Sequence, residues 1–170
     1  TSEGADLFVY LNTTDGGSPL SKEWHLSQTL PFSADFAFVL EDLSYSSLQT
    51  YDGSGWVAAD QTGVEAFAGW SDNQNTEISI PWANIGSPTS LAVIAWAQWQ
   101  DEGNVWTSFP SENPATSNGA ETFTHAYVIT DRTVSQTPGS LPVVDFSGTV
   151  NKLDDALNLA IVFHQHQPYY

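Results

Sequence analysis

The sequence predicts an all-β protein, an antiparallel β-sandwich of the jelly-roll or immunoglobulin-like type. Its first 130 residues hold a series of short apolar segments separated by clusters of Gly, Asn, Asp and Pro. This spacing, with scarcely any helical period, is typical of antiparallel sandwiches. The chain has 170 residues, of which 41% are hydrophobic and 13% aromatic, and this is enough for the core of one ordinary domain.

The expected strands follow in chain order. DLFVYLN at residues 6–12 has apolar side chains on both faces, as expected of a strand buried on both sides. Residues 13–34 are read as turn residues followed by a longer loop. The remaining expected strands are residues 35–42, 55–60, 64–70, 76–82, 91–100, 105–110 and 121–130. Because Pro81 ends a strand, a short helical turn is expected from Pro81 to Ile85.

Composition divides the chain into a sandwich at residues 1–131, a linker at 132–156 and a last segment at 157–170. The linker is rich in Ser, Thr, Pro and Gly and has no sustained periodicity. LNLAIVF, which follows it, is an apolar run of the kind found in buried parallel strands. Since one such strand needs a sheet, we expect Leu157 to Gln165 to add onto a sheet edge of this sandwich or of a neighbouring molecule.

The charge balance restricts the partners. Twenty acidic residues against three basic ones give a formal charge of −17. Nucleic-acid binding needs a basic surface that displaces counterions, so we expect no nucleic-acid partner, and the same sign disfavours membrane surfaces. No apolar run approaches the roughly 20 residues that cross a bilayer. The charge suits a neutral, hydroxyl-rich ligand or a cation, and it also favours solubility.

Neither cysteine nor methionine occurs in the sequence. This excludes disulfides, thiolate nucleophiles, zinc–sulfur sites and haem with a methionine axial ligand. A start at Thr1 instead of Met predicts a processed or internal start, from which any signal peptide has gone. With many Ser, Thr, Asn and Gln residues, the lack of oxidisable sulfur favours an extracellular, secreted protein.

Aromatic residues are the leading candidates for a binding site. A sugar ring can lie with its apolar face on an indole while polar side chains bind its hydroxyls. If residues 101–104 form the loop of a hairpin, Trp99 lies opposite Trp106, with Gln98 and Asn104 nearby as polar partners. The two indoles then form either a sugar-binding platform or a cross-strand pair that caps the core.

Other tryptophans fall into two groups. Trp56 and Trp70 are further candidates for sugar binding, because each lies at a strand edge beside Gly and polar turns. Trp82 and Trp96 lie among alternating apolar residues and are expected in the core.

The sequence indicates no pair of carboxylates that could act as catalytic acid and base. Glycoside hydrolysis needs two acids about 5–9 Å apart across a cleft. The paired acids of this chain are sequence neighbours at residues 41–42, 101–102 and 154–155, which point apart or lie in loops. We therefore expect that this chain itself is not an enzyme.

One turn offers ligands for a metal ion. SDNQNTE at residues 71–77 supplies oxygen atoms from Asp72, Asn73, Asn75 and Glu77, and Ca²⁺ takes about six to eight such ligands. The spacing is not that of an EF-hand, and an Asx-rich turn needs no ion. No cofactor is expected, and whether this turn binds calcium is left open.

His164 and His166 follow the last apolar run. As residues i and i+2 of a strand they point to one side. Catalytic zinc needs a third His or a carboxylate and an open position, and the tail supplies neither. The two histidines therefore form no complete metal site by themselves and are read as inert in this chain.

The tail LNLAIVFHQHQPYY resembles the opening strand of the catalytic barrel of glycoside hydrolase family 57, which runs into a His-Gln-His-Gln-Pro-like motif. The resemblance implies a distorted (β/α) barrel, a retaining mechanism on α-linked glucans, and a catalytic glutamate and aspartate far downstream of Tyr170. It places His164 and His166 in the sugar-binding pocket of that parent enzyme only. Residues 157–170 are then the truncated start of its catalytic domain.

The first 130 residues resemble β-sandwich domains appended to glucodextranase-like and amylopullulanase-like enzymes, related to carbohydrate-binding module family 9 and the DOMON group. The segments that carry this resemblance are DLFVYLNTTDGG, LPFSADFAFVLED and TEISIPWANIG. It implies a non-catalytic accessory domain of a secreted α-glucan hydrolase, which binds starch-like or pullulan-like polysaccharide. Its partners are then an α-glucan and the catalytic domain of the same parent chain. The alternative is a scaffold or spacer that packs on the catalytic domain and binds no sugar.

Overall fold

The computed structural model describes residues 5–22, 26–42, 45–68, 76–99, 103–115 and 119–129. Within these ranges the protein is an antiparallel β-sandwich with one short 3-10 helix, Trp82–Ile85, which confirms the fold class expected from the sequence. The strands are β1 Ala5–Asn12, β2 Ser18–Leu20, β3 Thr29–Ala34, β4 Phe36–Asp42, β5 Tyr45–Tyr51, β6 Trp56–Ala58, β7 Glu65–Ala68, β8 Thr76–Ser79, β9 Leu91–Trp99, β10 Val105–Phe109 and β11 Tyr127–Ile129.

One large sheet organises the molecule. Its strand order is β10-β9-β1-β4-β5-β6, and every neighbouring pair is antiparallel. Strand β11 also pairs with β9, so that β10 and β11 share the same long strand. Two hairpins, β2–β3 and β7–β8, form separate two-stranded sheets.

The large sheet is covered on both faces. On one face, called here the β8 side, Leu7, Val9 and Leu11 of β1 pack with Ile78 and the 3-10 helix. On the other, the β3 side, Phe8 and Tyr10 pack with apolar residues of β3. Because successive side chains of a strand point to opposite faces, β1 supplies both cores, as its sequence predicts.

Three strands were not expected from the sequence. Strands β2 and β3 lie in the stretch interpreted as turn and loop, and the polar segment YSSLQTY forms β5. In β3 only every second residue is buried, namely Leu30, Phe32 and Ala34. The expected strand at 121–130 is shorter than predicted: Tyr127–Ile129 pairs with β9, and Thr122 forms an isolated parallel bridge with Thr29.

Other expectations are confirmed. A helical turn follows Pro81, and it ends at Gly86, whose φ of 80° lies in the left-handed region that glycine adopts readily. Trp82 and Trp96 are core residues, 2% and 0% exposed. The linker and the expected strand at Leu157–Gln165 lie outside the described residues. No helix in the part of the chain that the structure describes is long and apolar enough to span a membrane.

Candidate functional site

Trp99 and Trp106 meet at the end of the β9–β10 hairpin. Their ring centroids are 4.5 Å apart, and the ring planes are inclined by 41°. Trp106 is 39% exposed, whereas Trp99 is half-buried. The Trp99 N–H donates to the Asn104 carbonyl at 2.8 Å, which closes the hairpin immediately beside the two rings. This tryptophan pair is a partly exposed aromatic surface at a sheet edge.

The expected register of this hairpin is wrong by two residues at Val105 and by one residue from Thr107 onward. Val105 pairs with Gln98 and Thr107 with Ala97, so Trp106 is the extra residue of a β-bulge and does not lie directly opposite Trp99. Val105 is 1% exposed and lies in the core on the β3 side. Because a bulge redirects the side chains around it, the Trp106 ring still reaches Trp99. The proximity of the indoles was thus predicted, while the pairing that produces it was not.

Two further aromatic residues lie along the same edge. Phe109 pairs with Ala95 and Tyr127 with Val93, and their ring centroids are 5.6 Å apart. Both rings pack at the margin of the core on the β8 side. From Val93 to Trp99 is about 20 Å at the rise of a β-strand. The tryptophan pair, Phe109 and Tyr127 therefore form an aromatic row along the edge, of which the sequence suggested only the first part.

Gln98 lies on the opposite face of β9 from Trp99. It is 1% exposed, and its Oε1 accepts hydrogen bonds from Trp96 Nε1 at 3.1 Å and from Gln28 Nε2 at 3.3 Å. Gln28 is itself fully buried and donates to the Gly103 carbonyl at 3.2 Å. The two glutamines connect the start of β3 to the β9–β10 hairpin. Gln98 is therefore not brought next to the tryptophan pair.

The other expected site residues are distributed unevenly. Asn104 lies beside the tryptophan pair, and its Oδ1 accepts a hydrogen bond from the Gly119 N–H at 3.2 Å. Trp56 lies on β6, at the other end of the strand order from β10, and packs against the core on the β3 side. It packs against Tyr10 and Tyr51 at centroid distances of 5.3 and 5.5 Å. The structure thus brings together Trp99, Trp106 and Asn104, but not Trp56.

The remaining candidates fall mostly outside the described residues. Trp70, His164 and His166 lie there, as do Asp72, Asn73 and Asn75 of the turn considered for calcium. Glu77 of that turn is an exposed residue of β8, paired with Phe67. Within the described ranges, no group of three or more His, Cys, Asp or Glu side chains could hold a metal ion.

Fold and site together define an antiparallel β-sandwich with an aromatic row along one edge of its main sheet. No family model, no curated protein and no solved structure matches the chain.

Proposed function

We propose that this chain is a non-catalytic accessory module of a secreted α-glucan hydrolase, and that it binds starch-like or pullulan-like polysaccharide through exposed aromatic residues. The observation that carries the proposal is the tryptophan pair, with ring centroids 4.5 Å apart and Trp106 39% exposed. Large aromatic side chains at a protein surface offer apolar faces to sugar rings.

The shape of the site supports an α-linked chain. The ring centroids are 4.5 Å apart and the planes are inclined by 41°, so Trp99 packs against Trp106 and holds the exposed ring at an angle. α-Linked glucan chains curve, and an inclined ring can contact a sugar ring of such a chain. The aromatic row extends this surface to about 20 Å along the sheet edge, which is long enough for several sugar rings. Asn104 lies beside the rings as a polar group for hydroxyls.

The parent enzyme is inferred from the tail. LNLAIVFHQHQPYY resembles the first barrel strand of glycoside hydrolase family 57, and an accessory module that precedes such a barrel fits the order of segments in this chain. His164 and His166 then belong to the parent enzyme's substrate pocket. The absence of Cys and Met and the many uncharged polar residues support a secreted protein.

Affinity electrophoresis in gels that contain amylopectin or pullulan tests the proposal. Trp106→Ala and Trp99→Ala are each expected to lower the affinity for the polysaccharide about tenfold, which corresponds to about 1.4 kcal/mol of binding free energy. The retardation of each variant in the gel should fall accordingly. Affinity should change little with salt, because the ligand is neutral. Tyr45→Ala removes an equally exposed ring, 38% accessible, from β5 and is the matched control. A protein that no α-glucan retards, or variants that bind like the wild type, would refute the proposal.

One observation favours the alternative, a scaffold that packs on a catalytic domain without binding sugar. Among the tryptophans that the structure describes, Trp106 alone is exposed, while Trp82 and Trp96 are buried and Trp56 packs on tyrosines. Acrylamide quenching of wild type and Trp106→Phe separates the two cases. If Trp106 is a free binding surface, the wild type loses more fluorescence to acrylamide than the variant, and added α-glucan protects it. A scaffold shows no protection by glucan.

A further inference from the structure

Gln28 lies immediately before β3 and is fully buried. Both polar atoms of its amide group are hydrogen-bonded. Nε2 donates to the carbonyl oxygens of Leu26 and Gly103, each at 3.2 Å, and lies 3.3 Å from Gln98 Oε1. Oε1 of Gln28 accepts a hydrogen bond from the Glu121 N–H. One buried side chain therefore joins the start of β3 to β9, to the loop of the β9–β10 hairpin and to the segment before β11.

The tryptophan pair is attached to this amide through the hairpin loop. The carbonyl of Gly103 accepts from Gln28, and the Gly103 N–H donates to the Trp99 carbonyl at 2.8 Å. Gln98, the second partner of Gln28 here, directly precedes Trp99 on β9. The backbone is thus held on both sides of Trp99, and the Trp106 ring packs on the Trp99 ring. A shift of Gln28 would reach the pair by two routes.

Asn104, the polar neighbour of the pair, depends on the same amide. Its Oδ1 accepts from the Gly119 N–H at 3.2 Å. Two residues further on, Glu121 donates its N–H to Gln28 and accepts at its carbonyl from the Thr29 N–H at 2.9 Å. The segment that holds the Asn104 side chain is therefore itself held by Gln28 and by the first residue of β3.

An amide at this position has a cost that an apolar side chain would not have. A buried amide must find hydrogen-bond partners, whereas a methionine or leucine needs none. A fully bonded buried network, in return, fixes one arrangement of the segments that it joins. A recognition site works only when the residues behind its contacting side chains hold them in place.

We propose that Gln28 is a positioning residue of the aromatic site. It sets the spacing and inclination of the tryptophan pair and the place of Asn104 beside it, and it does not touch the ligand. The effect of Gln28 on polysaccharide binding rests on the proposed function. Its effect on the arrangement of the rings does not, so the two can be measured separately.

Circular dichroism tests the proposal on the rings themselves. Two indoles 4.5 Å apart couple as excitons, and the resulting couplet depends on their spacing and inclination. Subtracting the spectrum of the Trp106→Phe version of each protein isolates the couplet of this pair. Gln28→Met keeps the length of the side chain and removes the amide, so the protein should unfold cooperatively but lose most of the couplet. Gln28→Leu, a second apolar replacement, should do the same.

Asp35→Ala is the matched control for a loss of stability. It removes buried hydrogen bonds to Thr13 and Thr14, which follow the end of β1 opposite to the one that pairs with Trp99. This variant should be destabilised and should keep the couplet. In amylopectin gels, Gln28→Met should bind about fivefold more weakly than the wild type, while Asp35→Ala should bind as the wild type does.

The outcomes separate this proposal from the proposed function. If the wild type binds no α-glucan, the proposed function fails, and the couplet still decides the role of Gln28. A Gln28→Met protein with the wild-type couplet overturns the proposal, as does wild-type affinity in that variant where the wild type binds. Loss of the couplet in Asp35→Ala, or failure of both variants at position 28 to fold, would show that Gln28 serves the fold as a whole and overturn the proposal as well.

Discussion

Tyr10 connects several parts of the molecule through one side chain. It is fully buried, and it stacks on Trp96 with ring centroids 5.0 Å apart and meets Trp56 edge-on. Its hydroxyl oxygen accepts a hydrogen bond from the Lys22 N–H at 2.7 Å, just after β2. Burial raises the pKa of Tyr10 well above its usual value of 10.0. The residue therefore stays neutral while it holds the β2–β3 hairpin to the main sheet.

Tyr10→Phe is expected to lower the free energy of unfolding by about 1–2 kcal/mol, since the Lys22 N–H loses this acceptor. The stabilisation linked to the raised pKa is complete below pH 10.0 and is lost as pH rises above that value. Urea denaturation at neutral and alkaline pH measures both effects, and the variant should lose less stability than wild type on the alkaline side. Tyr45→Phe, at an exposed position, is the control. Equal alkaline losses in wild type and Tyr10→Phe would contradict this account.

At this scale the sequence predicts much of the candidate site. Alternation along β9 correctly placed Trp96 in the core, and it also requires that neighbouring residues 98 and 99 point to opposite faces. Gln98 could therefore have been assigned to the interior, where it accepts from Trp96. The role of Gln28 could not, because its partner Gln98 is 70 residues away in the chain.

Strand elements were harder to predict than single residues. The loop of the β9–β10 hairpin was expected at residues 101–104, yet the backbone closes between Trp99 and Asn104, and Gly103 has a φ of 73°. Both placements satisfy the local turn chemistry. Val105 faces the β3 side in both placements, so the choice between them depends on contacts with the rest of the core, which the local sequence does not show. Strands β3 and β5 were not predicted for a similar reason. Their few apolar residues indicate a strand only when the rest of the core that they pack against is known.

The turn between β1 and β2 yields an element-scale prediction. Asp35→Ala removes the acceptor of the buried Thr13 N–H and of Thr14, so unfolding should require about 2–3 kcal/mol less free energy. Thermal and urea denaturation measure the loss of stability. The amide resonances of Gly16 and Gly17 should broaden, because the loop is no longer held by Asp35. Asp15→Ala, in the same loop but exposed, should stay within about 0.5 kcal/mol of wild type. A stable Asp35→Ala protein with an unchanged loop would show that these hydrogen bonds contribute little.

The whole molecule combines a core on both faces of its main sheet with a formal charge of −17. Both cores share β1 and β9, so we regard the described sandwich as one cooperative unit. The fold class was predictable because segment spacing and turn residues determine it locally. The strand order was not, because it depends on pairings between distant segments.

Charge gives a prediction at this scale. Repulsion among like charges destabilises a compact state, and salt screens it. Raising NaCl from about 0.01 to about 0.1 M shortens the Debye length from about 30 to about 10 Å, so the melting temperature should rise. Calorimetry at a fixed pH measures this change. Tetramethylammonium chloride should act as NaCl does, and a rise with calcium chloride alone would point to specific ion binding instead.

The central position of β1 has a consequence for biosynthesis. Leu7 pairs with Leu40 on one side and with Ala97 on the other, so the second pairing closes a loop of about 90 residues. Domains built from such distant pairings fold slowly. At about 5–20 residues per second, the ribosome releases β1 several seconds before β9 exists. During that interval one edge of a largely apolar strand is uncovered, and the yield of soluble protein should depend on growth temperature and on chaperones that shield nascent chains.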